Sequence, residues 1–450
     1  MFNELVNKIT VDIKTKEGRS RSMPTNENIA FKHAVTHLLK DLWKAFKSIP
    51  VKECLINCKS GYHSENSRYR DPNLNYQQME AAFNGLIKSG LIEITKSGSL
   101  GQKEVKEDVT RFIATDELID RFKSLRGHPA IILTPDLSKE TIILGNTING
   151  HKEAIDYKDT PKTEDYRDNL RMINQRLIRH WADLKIKDSE IPILENRISN
   201  HKTKESLDLS ERTLVRIFSN GSFKQGGHFY GGWWQNIPFE YRKHITLDGK
   251  KTCEYDYSQL NPHIIYFAYN KEFGSEDAYD RVLDGKHRDI VKKAFNAMIQ
   301  ASNPLERCPK DIILDQLEMS WAELRDRILE AHKPIRHLFF TGIGMELQFE
   351  NSKIAENIML QFYELNEPTL SVHDSFITYP GYGYTGGLEE IIRRAFFDSF
   401  SSDIPNSREV IKFEPTNDVP LKLLDIKSTF KVEEEYSVWQ ENDSLWRGGF

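Results

Sequence analysis

Thr252-Cys253-Glu254-Tyr255-Asp256-Tyr257-Ser258-Gln259-Leu260-Asn261-Pro262-His263 is the stretch on which the reading of this chain turns. Residues 252–255 suit a strand, and Pro262 suits the first turn of an apolar helix over 263–268, so Asp256 falls at a strand end beside a helix start. Downstream, Leu370-Ser371-Val372-His373-Asp374-Ser375-Phe376-Ile377-Thr378 alternates apolar residues on both sides of His373-Asp374. That pattern predicts two strands joined by a tight turn, with Asp374 projecting from the tip. Between these stretches, Arg288, Lys292 and Asn296 recur every four residues, which keeps them on one face of a helix, with Ile290, Ala294 and Met298 toward the other. An Arg and a Lys one turn apart can hold a polyphosphate through charge-assisted bonds.

Taken in order, these stretches resemble the palm motifs of family A DNA polymerases and single-subunit phage-type RNA polymerases. Asp256-Tyr257-Ser258-Gln259 is similar to motif A, the helix with Arg288 and Lys292 to the fingers helix of motif B, and His373-Asp374-Ser375-Phe376 to motif C in its phage-type form. Upstream, Gln235-Asn236-Ile237-Pro238 matches the segment that precedes motif A in that family, with Arg242 following. The resemblance spans 226–378, about a third of the chain.

What it implies is template-directed nucleotidyl transfer by two Mg²⁺ ions, with Mn²⁺ as an alternative, held by Asp256 and Asp374 with the backbone carbonyl of Tyr255. Arg288 and Lys292 would take the β- and γ-phosphates, and Lys292 could protonate the leaving group. Gln259, Asn261 and Asn296 would lie near the sugar and base. His373, Gln235, Asn236 and Arg242 would meet primer and template. The expected partners are nucleoside triphosphates and primer–template DNA or RNA. A further protein would supply processivity, because only 36 residues separate Asp256 from Lys292 and leave little room for large fingers.

Four departures qualify the match. Ser375 stands where family A DNA polymerases carry a second acidic residue, and Asn261 stands where they carry the Glu that excludes a 2′-hydroxyl. Ile299-Gln300-Ala301 replaces the aromatic-Gly end of motif B, and His228 replaces an upstream Arg. A DNA polymerase is the leading expectation, a primase or RNA polymerase the second, and an inactive DNA-binding replication or regulatory protein the third. Gly226-Gly227-His228-Phe229-Tyr230-Gly231-Gly232-Trp233-Trp234 could stack on bases or could pack glycines against tryptophans in a core.

Outside the palm-like region, 28–50 places Phe31, Val35, Leu38, Leu39, Leu42, Trp43 and Phe46 at helical spacing. A second helix runs from Tyr76 to a stop at Gly90, followed by strands at 91–94 and 110–114 around a polar tip. This order resembles a winged helix, which implies a groove-facing helix over 76–89 and a wing carrying Lys96, Lys103 and Lys106, or a role in protein contacts. Short strands are expected at 130–133 and 141–144. A helix over 164–187 carries Arg167, Arg171, Arg176 and Arg179, a thumb or a solvated face.

The expected fold class is mixed α/β (α+β): a winged helix-turn-helix region at 1–126, a linker with a thumb-like helix at 127–225, a palm with antiparallel sheet and short fingers at 226–430, and a tail at 431–450. No exonuclease pattern precedes the palm, so proofreading is not expected. With 450 residues, 38% of them hydrophobic, the chain can build several cores. No apolar run reaches the ~20 residues needed to span a bilayer, and the start lacks the order of a signal peptide, so a cytoplasmic protein without membrane contact is expected. The net charge is −5, but 161–250 carries a surplus of four basic residues, while Glu433-Glu434-Glu435 is an acidic run. Cys54, Cys58, Cys253 and Cys308 are too scattered for a disulfide framework. Cys54 and Cys58 with His63 lack a fourth zinc ligand and read as packed thiols.

Overall fold

The computed structural model describes residues 2–16, 25–47, 51–57, 68–69, 74, 76–96, 109–124, 137, 139–148, 151–199, 207–257, 259–273, 276–379 and 426–428. The readings on Cys58, His63, Lys103, Lys106, 130–133, Ser258, 433–435 and the tail at 431–450 lie outside them.

In chain order the elements are α1 (Phe2–Lys16), α2 (Thr25–Lys47), β1 (Cys54–Asn57), α3 (Tyr76–Lys88), β2 (Ile92–Lys96), β3 (Val109–Ala114) and α4 (Asp116–Lys123). There follow β4 (Ile142–Ile148), β5 (His151–Ala154), α5 (Pro161–Arg179), β6 (Ala182–Leu184), α6 (Ile191–Ser199), β7 (Val215–Ser219) and β8 (Ser222–Tyr230). The remainder is α7 (Phe239–Arg242), β9 (Ile245–Leu247), β10 (Lys250–Lys251), β11 (Cys253–Tyr257), α8 (Leu260–Ala268), α9 (Arg288–Gln300), α10 (Trp321–Ala331), α11 (Gly344–Glu364), β12 (Leu370–Val372), β13 (Ser375–Thr378) and β14 (Ile426–Ser428). The fold is mixed α+β, as the sequence indicates. No helix among the described residues is long and apolar enough to cross a membrane.

The chain divides into two compact units, one of 1–140, 181–213 and 231–244, the other of 141–180, 214–230 and 245–450. Neither unit is one continuous stretch of chain. The reason is strand pairing: β4 lies parallel to β7, with Ile142 opposite Arg216 and Leu144 opposite Phe218, and parallel neighbours need a long crossover between them.

In the first unit, β1, β3 and β2 form an antiparallel sheet in that order, so the strands on either side of 97–108 do pair, Ile92 with Ala114. Helices α1 to α4 supply the core through Ile9, Ile13, Leu38, Leu39, Phe83, Leu86, Leu118 and Phe122. Helix α1 was not expected. Yet Phe2, Leu5, Val6, Ile9 and Ile13 have helical spacing and are all buried. Lys44 on α2 reaches Asp208 at 3.0 Å and Glu211 at 2.8 Å, tying the 207–213 segment to the helices.

The second unit carries two four-stranded sheets, ordered β5-β4-β7-β8 and β12-β13-β11-β14. Arg216 of β7 is wholly buried and bonds Glu356 of α11 at 2.7 Å, Ser352 Oγ of α11 at 3.0 Å and the Gly227 carbonyl of β8 at 3.0 Å. Tyr166, Phe229 and Phe218 surround its guanidinium at 4.3, 5.0 and 5.1 Å from their ring centroids. Gly227 adopts a left-handed conformation (φ +78°) where the register of β8 shifts, and an added Cβ would lie 2.9 Å from Ser352 Oγ, so β8 approaches α11 only without a side chain there.

Helix α5 starts at a capping box on Thr160 with Pro161 in the first turn, and ends at Arg179 rather than 187. His180 is already extended and 182–184 is strand, so Trp181 and Leu184 leave the helical face expected of them. Three of its four arginines bond neighbours, Arg176 donating to the Tyr363 carbonyl at 3.1 Å, Arg167 to Asp159 at 2.7 Å and Arg171 to Asp168 at 2.5 Å, while Arg179 is exposed. Cys54 and Cys253 are free and buried, and burial pushes both thiols up to about 12, as packed thiols should behave.

Removing one partner of a buried ion pair leaves the other charge uncompensated, which costs about 3–5 kcal/mol. Arg216→Met should therefore destabilise the protein by that order in urea unfolding, and Arg216→Met with Glu356→Leu should recover most of the loss. An equal loss in both variants would mean that packing, not charge, sets the cost.

Candidate nucleotidyl-transfer site

The stretch at 370–378 is a hairpin. Strands β12 and β13 pair antiparallel with Val372 opposite Ser375, which leaves His373 and Asp374 as the two turn residues. His373 has φ +58°, the left-handed conformation a two-residue turn demands, and it is exposed while Asp374 is half-buried. Strand β11 lies on the other side of β13, antiparallel, with Cys253 opposite Thr378, Tyr255 opposite Phe376 and Asp256 opposite Ser375. Directly paired Cα atoms are about 5 Å apart, so the register sets Asp256 beside the residue that follows Asp374. The side chains of Tyr255 and Asp256 lie outside the described residues. Among the described residues no group of three or more His, Cys, Asp or Glu side chains gathers as a metal site. The backbone register does bring together two positions whose oxygen ligands suit Mg²⁺.

Glu254, which sequence reasoning passed over, is buried in β11, and Ser375 Oγ donates to its Oε1 at 2.5 Å. An acidic residue amid Thr252, Cys253 and Tyr255 was the available signal. Ser375, next to Asp374, is thus bonded to a carboxylate from the neighbouring strand.

Helix α9 buries Val291, Ala294, Phe295, Met298 and Ile299, and Ile290 is only half-buried. Arg288, Lys292 and Asn296 share a half-buried row, as their spacing predicts. Lys292 has no hydrogen-bond or ion-pair partner among the described residues. Asn296 Oδ1 accepts from Asn261 Nδ2 at 3.1 Å, so two expected nucleotide contacts from motifs A and B meet.

Gln259 and Arg288 sit differently from a simple ligand-facing pair. Gln259 is buried, and its Oε1 accepts the Ala278 N–H at 2.6 Å. Arg288 donates through Nε (3.1 Å) and Nη2 (2.8 Å) to Asp277 Oδ2, over the Tyr279 ring at 5.1 Å. Burial opposes ionisation of Asp277, but the Arg288 bond, two backbone N–H groups and the guanidinium charge outweigh it and hold the carboxyl below its ordinary range.

His332 is wholly buried beneath this segment, 2.9 Å from the Ala278 carbonyl through Nε2 and 3.0 Å from the Tyr266 hydroxyl through Nδ1. A carbonyl only accepts, so Nε2 carries the proton and Nδ1 accepts from Tyr266, which fixes the neutral tautomer. Burial, with the Arg281 charge, pushes its pKa down to about 4.

Near the hairpin tip, His228 and Tyr230 of β8 lie 5.7 and 5.8 Å from the His373 ring. Burial, then the charges of His373 and Arg216, push His228 down to about 4, so it is neutral at pH 7. Trp233 and Trp234 are buried, and a Cβ on Gly232 would fall 2.3 Å from the Trp234 ring, so the tryptophans of this stretch belong to a core. Gln235, Asn236 and Arg242 belong to the first unit, whereas Asp256, Gln259, Asn261, Arg288, Lys292, Asn296, His373 and Asp374 belong to the second. Within the first unit Gln235 Oε1 accepts the Gly231 N–H at 3.1 Å, and Arg242 lies 5.8 Å from the Phe239 ring centroid.

No protein-family model matches this chain, and no curated protein matches it in sequence. One solved structure is similar. It is the POL domain of Pol1 from M. smegmatis in complex with DNA primer-template and dNTP, at 13% identity and a TM-score of 0.26. The match covers 47% of this chain and 48% of that one, so the chain spans about half the length of that structure.

The neutral His332 makes stability pH-dependent. Its folded pKa, about 4, lies below the ordinary 6.5, so the unfolded chain binds the extra proton as pH falls. The stabilisation is complete above pH 6.5 and is lost progressively toward pH 4, on the order of 3 kcal/mol. Urea midpoints of the wild type should fall across that window, and His332→Gln should show a shallower fall. Equal slopes would deny His332 this role.

Proposed function

We propose that the second unit is a template-directed nucleotidyltransferase centre, a palm with short fingers that extends a nucleic-acid strand from nucleoside triphosphates. The observation that carries this is the register of β11 on the β12–β13 hairpin, which sets Asp256 against Ser375 and beside Asp374. Asp256 and Asp374, with the Tyr255 carbonyl, would hold two Mg²⁺ or Mn²⁺ ions. Bound there, the ions would activate a 3′-hydroxyl and neutralise the leaving pyrophosphate.

The chain's own groups supply the rest. Lys292, half-buried and unpaired among the described residues, is suited to a triphosphate and to proton donation to the leaving group. Arg288 adds a planar guanidinium to the same helix face. His373 and Tyr230, exposed beside the neutral His228, offer aromatic rings to a primer end. In the first unit, α3 exposes Gln77, Glu80, Asn84 and Lys88, and amide side chains on a helix suit base edges, which supports docking on a nucleic acid.

Asn261 and Asn296 bear on the sugar. An amide at Asn261, hydrogen-bonded to Asn296 and standing where the resembling family carries a carboxylate, supports acceptance of ribonucleotides beside deoxyribonucleotides.

Extension of a labelled primer on DNA and RNA templates, with dNTPs and rNTPs offered separately, tests the reading. Wild-type protein should extend with Mg²⁺, and Asp256→Ala and Asp374→Ala should each lose at least about 10³-fold in rate. Absence of extension by the wild type under every combination, with or without primer, would leave a nucleic-acid-binding protein without transferase activity.

A further inference from the structure

Arg288 is the first residue of α9, and the residue before it, His287, is left-handed (φ +55°), so the helix enters through a sharp bend with no side-chain cap. The Arg288 side chain is hydrogen-bonded to Asp277, eleven residues upstream, with Asp280 Oδ1 also 4.0 Å from its Nε. Asp277 uses its two oxygens for separate purposes. Oδ2 takes both Arg288 bonds, while Oδ1 accepts the backbone N–H groups of Tyr279 at 2.8 Å and Asp280 at 3.2 Å. The peptide that follows is held from both ends, its N–H by Gln259 and its carbonyl by His332. Tyr279, next along, is buried and packs edge-on against Phe295 of α9 at 5.7 Å.

The carboxylate is therefore rigidly mounted, and the mount starts three residues from Asp256 in motif A. A carboxylate facing a cation can act in two ways. It can occupy the cation until a ligand displaces it, or it can aim the cation at the ligand. Displacement would require breaking a pair whose side chains are only 24% and 16% exposed, at greater cost than one charge-assisted phosphate bond returns. Aiming requires no motion, since the two bonds engage one edge of the guanidinium fork and fix its plane.

We propose that Asp277 is a positioning residue, which with Gln259 braces Arg288 so that its guanidinium meets the polyphosphate of an incoming nucleotide in a preset orientation. This rests on the reading of α9 as the phosphate-binding helix. It assigns Gln259 to the brace, not to direct contact with the nucleotide. Prior orientation of a bidentate donor raises affinity by removing the ordering cost at binding.

Binding of inorganic tripolyphosphate and of a Mg²⁺-nucleoside triphosphate to the full chain, followed by calorimetry, tests this without requiring turnover. Asp277→Asn keeps an acceptor for the backbone N–H groups and removes the charge from Arg288. It should weaken binding about tenfold, as should Arg288→Ala, and the double variant should be no worse than Arg288→Ala alone. Arg288→Lys, which keeps the charge without the fork, should bind as weakly as Asp277→Asn, and thermal melting should show each variant folded.

Tripolyphosphate affinity unchanged by Asp277→Asn would overturn the proposal, as would no wild-type binding. Tighter binding by Asp277→Asn would show competition in place of positioning. An equal loss in the Arg288→Ala background would reduce Asp277 to a structural part. Failure of primer extension alongside the expected binding pattern would count against polymerisation and leave the brace standing.

Discussion

A guanidinium with no solvent contact is tolerable only if its nitrogens find acceptors, and each of the three nitrogens of Arg216 finds one, on two elements, α11 and β8. Its carboxylate partner, Glu356, and its hydroxyl partner, Ser352, come from one turn of α11, and its carbonyl partner comes from the glycine that lets β8 bulge toward that helix. The second Glu356 oxygen accepts from Asn169 of α5 at 3.1 Å, and Asn174 of the same helix pairs with the Leu214 backbone in both directions. One buried charge thus sets the spacing of β7, β8, α11 and α5. The strand that carries His228 and Tyr230 leads directly from it.

The same logic governs the candidate site, with neutral groups where Arg216 uses charge. His332 is buried, uncharged and doubly bonded, and it pins the peptide of Ala278 against Gln259. A protonated imidazole there would be a buried charge facing Arg281, so burial and the neighbouring charge agree on the neutral form. Rigidity in the second unit is placed under the residues that would meet phosphate, while Lys292 keeps a half-buried ammonium available. Pre-orientation of that kind is what a reaction relying on positioning and charge stabilisation needs from its scaffold.

Local pattern was legible where one physical rule dominates. Alternation around His373-Asp374 foretold the hairpin, and fourfold spacing foretold the shared row of Arg288, Lys292 and Asn296, because side-chain direction in strands and helices is fixed by backbone geometry alone. Helix α1 was equally legible in Phe2, Leu5, Val6, Ile9 and Ile13, and was overlooked. The end of α5 was not legible: no Gly or Pro marks residue 180, and the switch to strand at Ala182 depends on surroundings the periodicity does not encode. Gln259 illustrates a deeper limit. Its place in a catalytic-looking motif suggested a ligand contact, yet a buried amide takes whichever backbone partner the fold brings, here one nineteen residues away.

By itself the sequence determined the elements that carry the candidate site and their order: a strand ending at Asp256, a helix with Arg288 and Lys292 on one face, and a hairpin tipped by Asp374. Those follow from periodicities of two and 3.6 residues and from turn stereochemistry, all of which act over a few residues. Tertiary structure alone decided the register that sets Asp256 opposite Ser375, the bond between Ser375 and Glu254, and the carboxylate that holds Arg288. It also decided that 141–148 and 215–219 share a sheet although 66 residues of chain lie between them. Such pairings are set by which buried polar groups must be satisfied together in one core, and that requirement is met in space, by residues the order of the chain keeps far apart.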